Sequence, residues 1–408
     1  MARSELIVGL DIGTTKICVV VGEISPEGVD VVGIGTSPST GLRKGVVVNI
    51  EQTVQSIKKA LEEAELMAGC EIRSVYAGIA GSHIKGFNSH GVIAVKGGEV
   101  GPRDIERVID AAKAVAIPLD REVIHILPQE FIVDDQRGIA DPLGMAGVRL
   151  EVRVHIVTGA VTSAQNIIRS CHRAGLDVSD IVLESLASSK AVLTGEEREI
   201  GVALVDLGGG TTDLAIFAND SIKHTAVLAL GGTNLTNDIA FGLRTPMASA
   251  EKIKIKYGCA LAEMVPKDDV IEVMSVGGRE PRRLSRQVLA EICEPRVEEM
   301  LALVDQELIR SGMKNQIGAG VVLTGGTALI EGIQELGEQI FNLPTRIGYP
   351  DKVGGLKDVV NSPMYATAVG LLMYGAEKEG VEQRFRIRDE NVFNRILGRM
   401  RKWFVDVK

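Results

Sequence analysis

The chain has 408 residues and a formal charge of −9; 45% of it is hydrophobic, only 3% is aromatic, and 46 residues are glycine. That length leaves room for two to four domains, and a Val/Ile/Ala-rich core with many tight turns suits α/β layers better than a β-sandwich. The acidic balance argues against nucleic-acid binding, which needs a basic face. Five cysteines (Cys18, Cys70, Cys171, Cys259, Cys293) include no Cys-x-x-Cys pair, so they read as reduced thiols of a cytosolic protein. Met1 to Leu10 lacks the basic and long apolar segments of a signal peptide, and no run of 18 apolar residues is present to span a membrane.

From the N-terminus, the apolar runs 6–10 and 17–21 flank a Gly-Thr-Thr turn and predict a β-hairpin, with a third strand at 29–34. Residues 51–67 predict a helix: Val54, Ile57, Leu61 and Ala64 share a face, Asn49 with Gln52 resembles a capping box, and Gly69 is placed to end it. A segment of different character, 82–155, holds strands at 123–132 and 148–156, a helix at 102–116 and a Gly/Pro-rich loop at 137–147. Helices follow at 164–174 and 185–193. The opening pattern then returns, because Val202 to Val205 ends at Asp206, a glycine turn follows, and the strand resumes at Leu214. Later come helices at 248–257 and 285–311, a strand–turn–helix at 321–336 and a helix at 364–377. Residues 380–390 are charged and read as a linker.

Asp206 lies 195 residues after Asp11, close to half the chain, which is the mark of internal duplication. Laid over Asp11-Ile12-Gly13-Thr14-Thr15-Lys16, the run from Asp206 to Asp213 matches the Asp, the apolar residue, the Gly and the Thr-Thr pair. It adds two glycines and places an aspartate where the lysine was. Such turns bind anions. Glycine lets the backbone approach without a Cβ in the way, successive N–H groups form a concave site, and threonine hydroxyls and a lysine add donors and charge. The phosphate-binding candidates are therefore Gly13, Thr14, Thr15 and Lys16 in one turn, and Gly208, Gly209, Gly210, Thr211 and Thr212 in the other. Asp11 and Asp206, facing across a cleft, would hold Mg²⁺ through its waters. A third turn, Gly325-Gly326-Thr327 at a helix start, would let adenosine lie on the backbone. Glu251 and Lys254, three apart on one helix, are either a solvated pair or the groups that bond the ribose and flank the adenine. The six histidines form no triad or ligand pair in sequence.

This arrangement resembles the actin-like ATPase superfamily: actin, MreB, heat-shock chaperones of the seventy-kilodalton class and sugar kinases. The resemblance implies an actin-like duplicated α/β fold, with two halves around a nucleotide cleft binding ATP and Mg²⁺. It also implies a connecting helix at Leu183 to Ser188, in which Glu184 orients the attacking water. More narrowly, His125-Ile126-Leu127-Pro128-Gln129-Glu130-Phe131, the loop 138–145, Arg149-Leu150-Glu151 with His155, and Glu294-Pro295-Arg296-Val297-Glu298-Glu299 resemble the FtsA family of bacterial division proteins. Domains are expected accordingly: a first half at 1–81 and 156–197, an α+β insertion at 82–155, a second half at 198–230 and 306–379 with its small domain at 231–305, a linker at 380–391, and a terminal helix at 392–408. What the family implies is an ATP-binding, filament-forming protein of the septum, at most a slow ATPase. It tethers FtsZ, through that partner's C-terminal peptide, to the cytoplasmic side of the membrane and recruits later division proteins. FtsZ would bind the domain at 231–305. The insertion would meet neighbours along a filament or later division proteins. The alternatives are a PilM-like pilus-assembly adaptor, which would lack the terminal helix, and a small-molecule kinase, for which no catalytic base or substrate pocket is evident.

The tail is derived directly. On a helical wheel Val392, Phe393, Ile396, Leu397, Met400, Trp403, Phe404 and Val407 fall within an arc of about 140°. Arg395, Arg399, Arg401, Lys402 and Lys408 fall outside it, and the stretch carries a net +4. A basic amphipathic helix with Trp and Phe on its apolar face is the pattern of an in-plane anchor on anionic lipid, peripheral rather than transmembrane. The bland reading is a helix docked on this protein's own core or on a partner.

Overall fold

A computed structural model describes residues 6–25 and 28–386, with side chains as far as Lys378. The amphipathic helix expected at 392–408 lies outside the described residues, and with it Phe393, Ile396, Leu397, Arg399, Met400, Lys402, Trp403 and Phe404.

The first apolar runs form the expected hairpin of β1 (Leu6–Ile12) and β2 (Lys16–Ser25), extended by β3 (Gly28–Pro38). The strands are buried on both faces, which is why they read as continuous apolar runs. A small hairpin, β4 (Leu42–Arg43) and β5 (Val46–Val47), leads into α1 (Ile50–Ala68). Asn49 caps α1 by accepting from the Gln52 N–H at 3.1 Å, and Gly69, left-handed at φ 65°, ends it.

After β6 (Ser74–Ile79) the chain leaves for the insertion: β7 (Lys85–Ala94), α2 (Pro102–Lys113), β8 (Arg121–Val133), β9 (Gln136–Ile139) and β10 (Arg149–Ala160), in sheet order β7-β10-β8-β9. Two of these strands run against expectation. β9 occupies the start of the stretch read as loop, and β7 was not expected because polar residues lie along both of its faces. Its partner β10 supplies the apolar face that holds it, where Leu150, Val152, Val154 and Ile156 pack with Val108 and Phe131. The insertion also leans on the second half. His155 Nε2 meets Thr225 Oγ1 at 2.8 Å, and Gln129 Nε2 donates to the Ile222 carbonyl at 2.8 Å. His125 and His155 are buried, and burial pushes both down to about 4, leaving them neutral.

The chain re-enters the first half through α3 (Val161–Ala174), β11 (Asp177–Leu183), α4 (Glu184–Val192) and α5 (Gly195–Ile200). The second half repeats the hairpin as β12 (Val202–Leu207) and β13 (Thr212–Ala218), followed by β14 (Ser221–Leu228). Its small domain comprises α6 (Gly232–Gly242), α7 (Met247–Tyr257), β15 (Val270–Val273), β16 (Arg282–Ser285) and α8 (Arg286–Arg310). Then come β17 (Val321–Thr324), α9 (Ile333–Phe341), β18 (Thr345–Ile347), β19 (Gly354–Gly355), α10 (Lys357–Val360) and α11 (Ala366–Arg386).

The two sheets have corresponding orders, β11-β6-β1-β2-β3-β19 and β14-β13-β12-β17-β18, each with antiparallel hairpins and parallel crossovers. One core lies between them: Ile7, Cys18 and Val20 from the first sheet and Leu204, Ala215 and Val322 from the second enclose α4 and α11. Those helices touch directly. A Cβ on Gly370 would stand 1.9 Å from the Ala187 carbonyl oxygen, so glycine alone fits there. Two expectations change here. The stretch 354–379, assigned to the second half, returns to the first, since β19 pairs with β3 and α11 packs on β1, β2 and β6. Chain order does not dictate where an apolar helix finds its partner. The helix also continues to Arg386, through residues read as linker; their Glu, Gln and Arg are good helix formers, and the run contains no proline.

Candidate functional site

Two turns of equal length face each other at the centre. In the first, the Gly13 N–H donates to the Lys16 carbonyl at 3.1 Å; in the second, Gly208 donates to Thr211 at 3.0 Å. Asp11 pairs across its hairpin with Cys18, and Asp206 with Asp213. The offset of 195 therefore holds at both ends (206 − 11 and 213 − 18), with no insertion. This corrects the alignment made on the Thr-Thr identity. Thr211 stands where Lys16 stands, Gly209-Gly210 replace Thr14-Thr15, and Asp213 is the counterpart of Cys18. Hairpin register, which the turn length sets, outranks residue identity.

The substitution of glycines for threonines has a steric reason. A Cβ on Gly209 would come within 2.4 Å of Thr15 Cγ2, and one on Gly210 within 2.5 Å of Thr14 Oγ1. Thr14 is held in turn by the Gly45 N–H of the β4–β5 hairpin, at 3.0 Å. Lys16 Nζ donates to the Met364 carbonyl at 2.6 Å and lies 4.2 Å from the centre of the Tyr365 ring. Among the described residues no acceptor meets the N–H of Thr15, Gly209 or Gly210, so the turns keep donors for an anion.

Four carboxylates gather beneath the turns. Asp11, Asp206 and Asp213 are buried, and Glu184, the first residue of α4, lies half-buried over Gly78. Burial is the main cause that raises all four. Asp11 moves to about 6, despite Lys16, and Asp213 to about 8; Glu184 lies well above the usual range, with the charges of Asp11, Asp213 and Asp206 adding to its burial. Asp206 is raised against the opposing effect of hydroxyl donors from Ser188 and Thr367. Asp213 Oδ1 is buried with no hydrogen-bond partner. Such an atom is expensive to desolvate, and it marks a place where positive charge or water belongs. Among the described residues no group of three or more His, Cys, Asp or Glu is set to grip a metal ion directly. Asp213 joins Asp11 and Asp206 as a third buried aspartate of the cluster, one that the metal expectation for the other two did not include.

The third turn joins the same site. Gly325, at φ 87°, brings its Cα so near Asp206 that a Cβ would lie 2.4 Å from Oδ1, while one on Gly326 would meet only Met364 Cβ, at 3.8 Å. Thr327 Oγ1 donates to the Gly208 carbonyl at 3.0 Å. Lys254 is buried, not solvated: its Nζ reaches the Gly232 carbonyl at 3.2 Å, Thr236 Oγ1 at 3.0 Å and Glu251 Oε2 at 2.8 Å. Glu251 also accepts from Thr236. Thr212 is drawn off into the β14 side, donating to the Leu230 carbonyl at 2.9 Å. A fourth glycine turn, Gly231-Gly232-Thr233, completes the ring. Gly232 N–H donates to the Gly208 carbonyl and Thr233 N–H to that of Gly209. It repeats the Gly-Gly-Thr of 325–327, a signal visible in the sequence and not used. A cavity of about 500 Å³ lies elsewhere, on the insertion, lined by His90, Arg137, Arg149, Glu151 and Arg153 among others; its side chains pair mostly with one another.

Residues 203–370 match the family model for cell division protein FtsA, and 81–158 that for the SHS2 domain inserted in FtsA. The chain is 57% identical to cell division protein FtsA of Pseudomonas aeruginosa over 92% of its own length and 90% of the relative's. It is 44% identical to that of Escherichia coli K12, over 91% of each chain, and 38% to that of Bacillus subtilis, over 96% and 89%. Among solved structures it resembles the PilM–PilN type IV pilus biogenesis complex (TM-score 0.65, 17% identity, 90% of this chain and 98% of that one) and MreB5 of Spiroplasma citri bound to ADP (0.55, 16%, 93% and 98%). Those two likenesses are of fold, and they place the duplicated halves in the actin-like architecture. Identities of 38–57% over nearly the whole length, together with the match of 81–158 to the domain inserted in FtsA, show that this chain belongs to the FtsA family of cell-division proteins.

Proposed function

We propose that the protein binds ATP with Mg²⁺ between the two turns, assembles into filaments, and tethers FtsZ, by that partner's C-terminal peptide, to the cytoplasmic face of the membrane at the septum, where later division proteins join. The observation that carries the nucleotide part is the pair of equal hairpin turns with unused N–H donors above a buried, incompletely partnered carboxylate cluster. A fold neighbour solved with ADP and again with AMPPNP lends support.

Thr14, Thr15, Gly209 and Gly210 would meet the phosphates, and Lys16 would exchange the Met364 carbonyl for a phosphate oxygen. Because the turns touch, a phosphate chain enters only if the halves part at that contact. Bound Mg²⁺ would supply the positive charge that the carboxylates lack. Asp11 and Asp206 would accept from its waters. Gly326 would lie under adenosine, with Glu251 and Lys254 behind it. Hydrolysis would be slow, because an adaptor needs nucleotide mainly to hold its two halves together and Glu184 alone is placed to orient water.

The membrane part rests on the tail sequence, and one co-sedimentation experiment tests the whole reading. Wild type should pellet with anionic vesicles and carry FtsZ with it, more so with Mg-ATP, since filaments add avidity. Trp403→Glu should stay in the supernatant yet still bind ATP. If Trp403→Glu pellets like wild type, the tail is a docking helix and the membrane reading fails. If neither ATP nor FtsZ alters sedimentation, the adaptor reading fails.

A further inference from the structure

Asp206 is the one carboxylate of the four that receives two hydroxyl donors. Ser188 Oγ donates to Asp206 Oδ2 at 2.6 Å and Thr367 Oγ1 donates to the same oxygen at 3.0 Å, the two hydroxyls standing 3.0 Å apart. All three residues are buried. They come from three elements: Ser188 from α4, Asp206 from β12, and Thr367 from the first turn of α11. Burying two hydroxyls against one carboxylate oxygen is costly unless the geometry is used, because apolar packing would serve stability as well.

Resting on the nucleotide reading above, we propose that Ser188 and Thr367 are positioning residues: they fix Asp206 Oδ2, leave Oδ1 as the oxygen that faces the hydrated cation, and fasten that carboxylate to α11. The side of Oδ1 is kept clear by Gly325, where any Cβ would fall within 2.4 Å of it. Neighbouring residues fasten the other motifs to the same short run. The Pro363 carbonyl accepts from Gly325 N–H at 3.1 Å and from Thr324 Oγ1 at 3.3 Å, and the Met364 carbonyl accepts from Lys16. One segment, 363–367, thus reads all three turns and passes directly into α11, the helix that precedes the tail. The inference concerns Ser188 and Thr367, which are buried and donate to Asp206.

The test compares ATP affinity with Mg²⁺ and with EDTA, by calorimetry on the full chain. Variants are Ser188→Ala, Thr367→Val, which keeps the shape and loses the hydroxyl, and Thr367→Ser, which keeps the hydroxyl. The Mg²⁺-dependent gain in affinity should fall about tenfold in Thr367→Val and further with Ser188→Ala added, while affinity in EDTA changes less than about twofold; Thr367→Ser should restore the gain. A double variant that keeps the full gain overturns the proposal. So does equal loss with and without Mg²⁺, which would mean the hydroxyls only support the fold. If wild type binds no ATP at all, the nucleotide reading falls, and a second measurement decides the role of the hydroxyls by itself. In crystals without nucleotide, the Asp206 carboxylate should leave its wild-type orientation, or spread over two, in the double variant. An Asp206 carboxylate that keeps its single wild-type orientation there overturns the proposal.

Discussion

Asp11 and Asp206 begin two hairpins of the same length and register, yet the residues after them divide the work. The first turn carries two threonines and a lysine. The second carries two glycines, a threonine and, one strand position on, an aspartate where the first has Cys18. Duplication supplied one backbone, and what distinguishes the copies is that they meet face to face. Where Thr14 and Thr15 fill the contact, the opposite turn has no room for a Cβ. Where the first turn supplies the cation, the second supplies an extra buried acid. A symmetric pair, with side chains on both turns or lysines on both, would clash or repel. Divergence of the halves is thus a packing requirement of the site as much as a chemical one.

The comparison breaks most sharply by restoring symmetry. Gly210→Thr should lower ATP affinity by about a hundredfold or more, because even with the halves parted the new side chain and Thr14 crowd the narrow space that the phosphates need. Adding Thr14→Gly should recover part of the loss, since the clash then has no partner; a double-mutant cycle by calorimetry measures that coupling. Additive losses would mean the turns do not touch in the binding-competent state. A smaller effect follows from the other asymmetry. Lys16→Thr gives the first turn the residue of the second and removes the one lysine beside the phosphates. About tenfold to hundredfold weaker binding is expected, the worth of one charge-assisted hydrogen bond. Undiminished affinity would show that Lys16 keeps its Met364 and Tyr365 contacts with nucleotide bound.

Much of this site is legible from local pattern. Asp11 to Lys16, Asp206 to Thr212 and Gly325 to Thr327 announce themselves because anion-binding turns need glycine and hydroxyls at fixed short spacing. The α1 cap and stop at Asn49 and Gly69 are legible for the same reason. What stayed hidden depends on distance in the chain. Ser188 and Thr367 are an unremarked serine and threonine until α4 and α11 are wedged between two sheets, 179 residues apart in sequence. Asp213 was noticed and misplaced, since matching Thr-Thr to Thr-Thr shifts a register that only the strand pairing reveals. For Lys254 the sequence leaves a solvated pair open beside a nucleotide contact, because nothing local says that the carbonyl of Gly232 and the hydroxyl of Thr236 will close over it. The strand β7 is polar on both faces, and only its pairing with β10 makes it a strand.

Asp213 against Cys18 gives the finest contrast, because the two occupy one position in two hairpins and differ only in whether the buried group titrates near neutrality. Burial pushes the Cys18 thiol up to about 12, so it is neutral at any ordinary pH. Asp213 is pushed up to about 8 by burial and by Asp206, from 3.8. The sign follows. Between about 4 and 8 the folded state holds a proton that the unfolded chain has released, so stability falls as pH rises through that window and levels off above it. The slope for one such proton is at most about 1.4 kcal/mol per pH unit. Asp213→Asn keeps the shape and removes the titration. Without nucleotide, its stability advantage over wild type should be near zero at pH 5 and grow to about 1–2 kcal/mol at pH 8, read from urea midpoints with an unchanged slope. The same change should weaken Mg-ATP binding, because the unpartnered Oδ1 that costs stability is the oxygen offered to the cation's surroundings. A variant that gains nothing at pH 8 would mean water or a counter-ion already satisfies Asp213 in the free protein. A variant that gains stability and binds Mg-ATP as well as wild type would confine the chemistry to Asp11 and Asp206, and the second hairpin would differ from the first for packing alone.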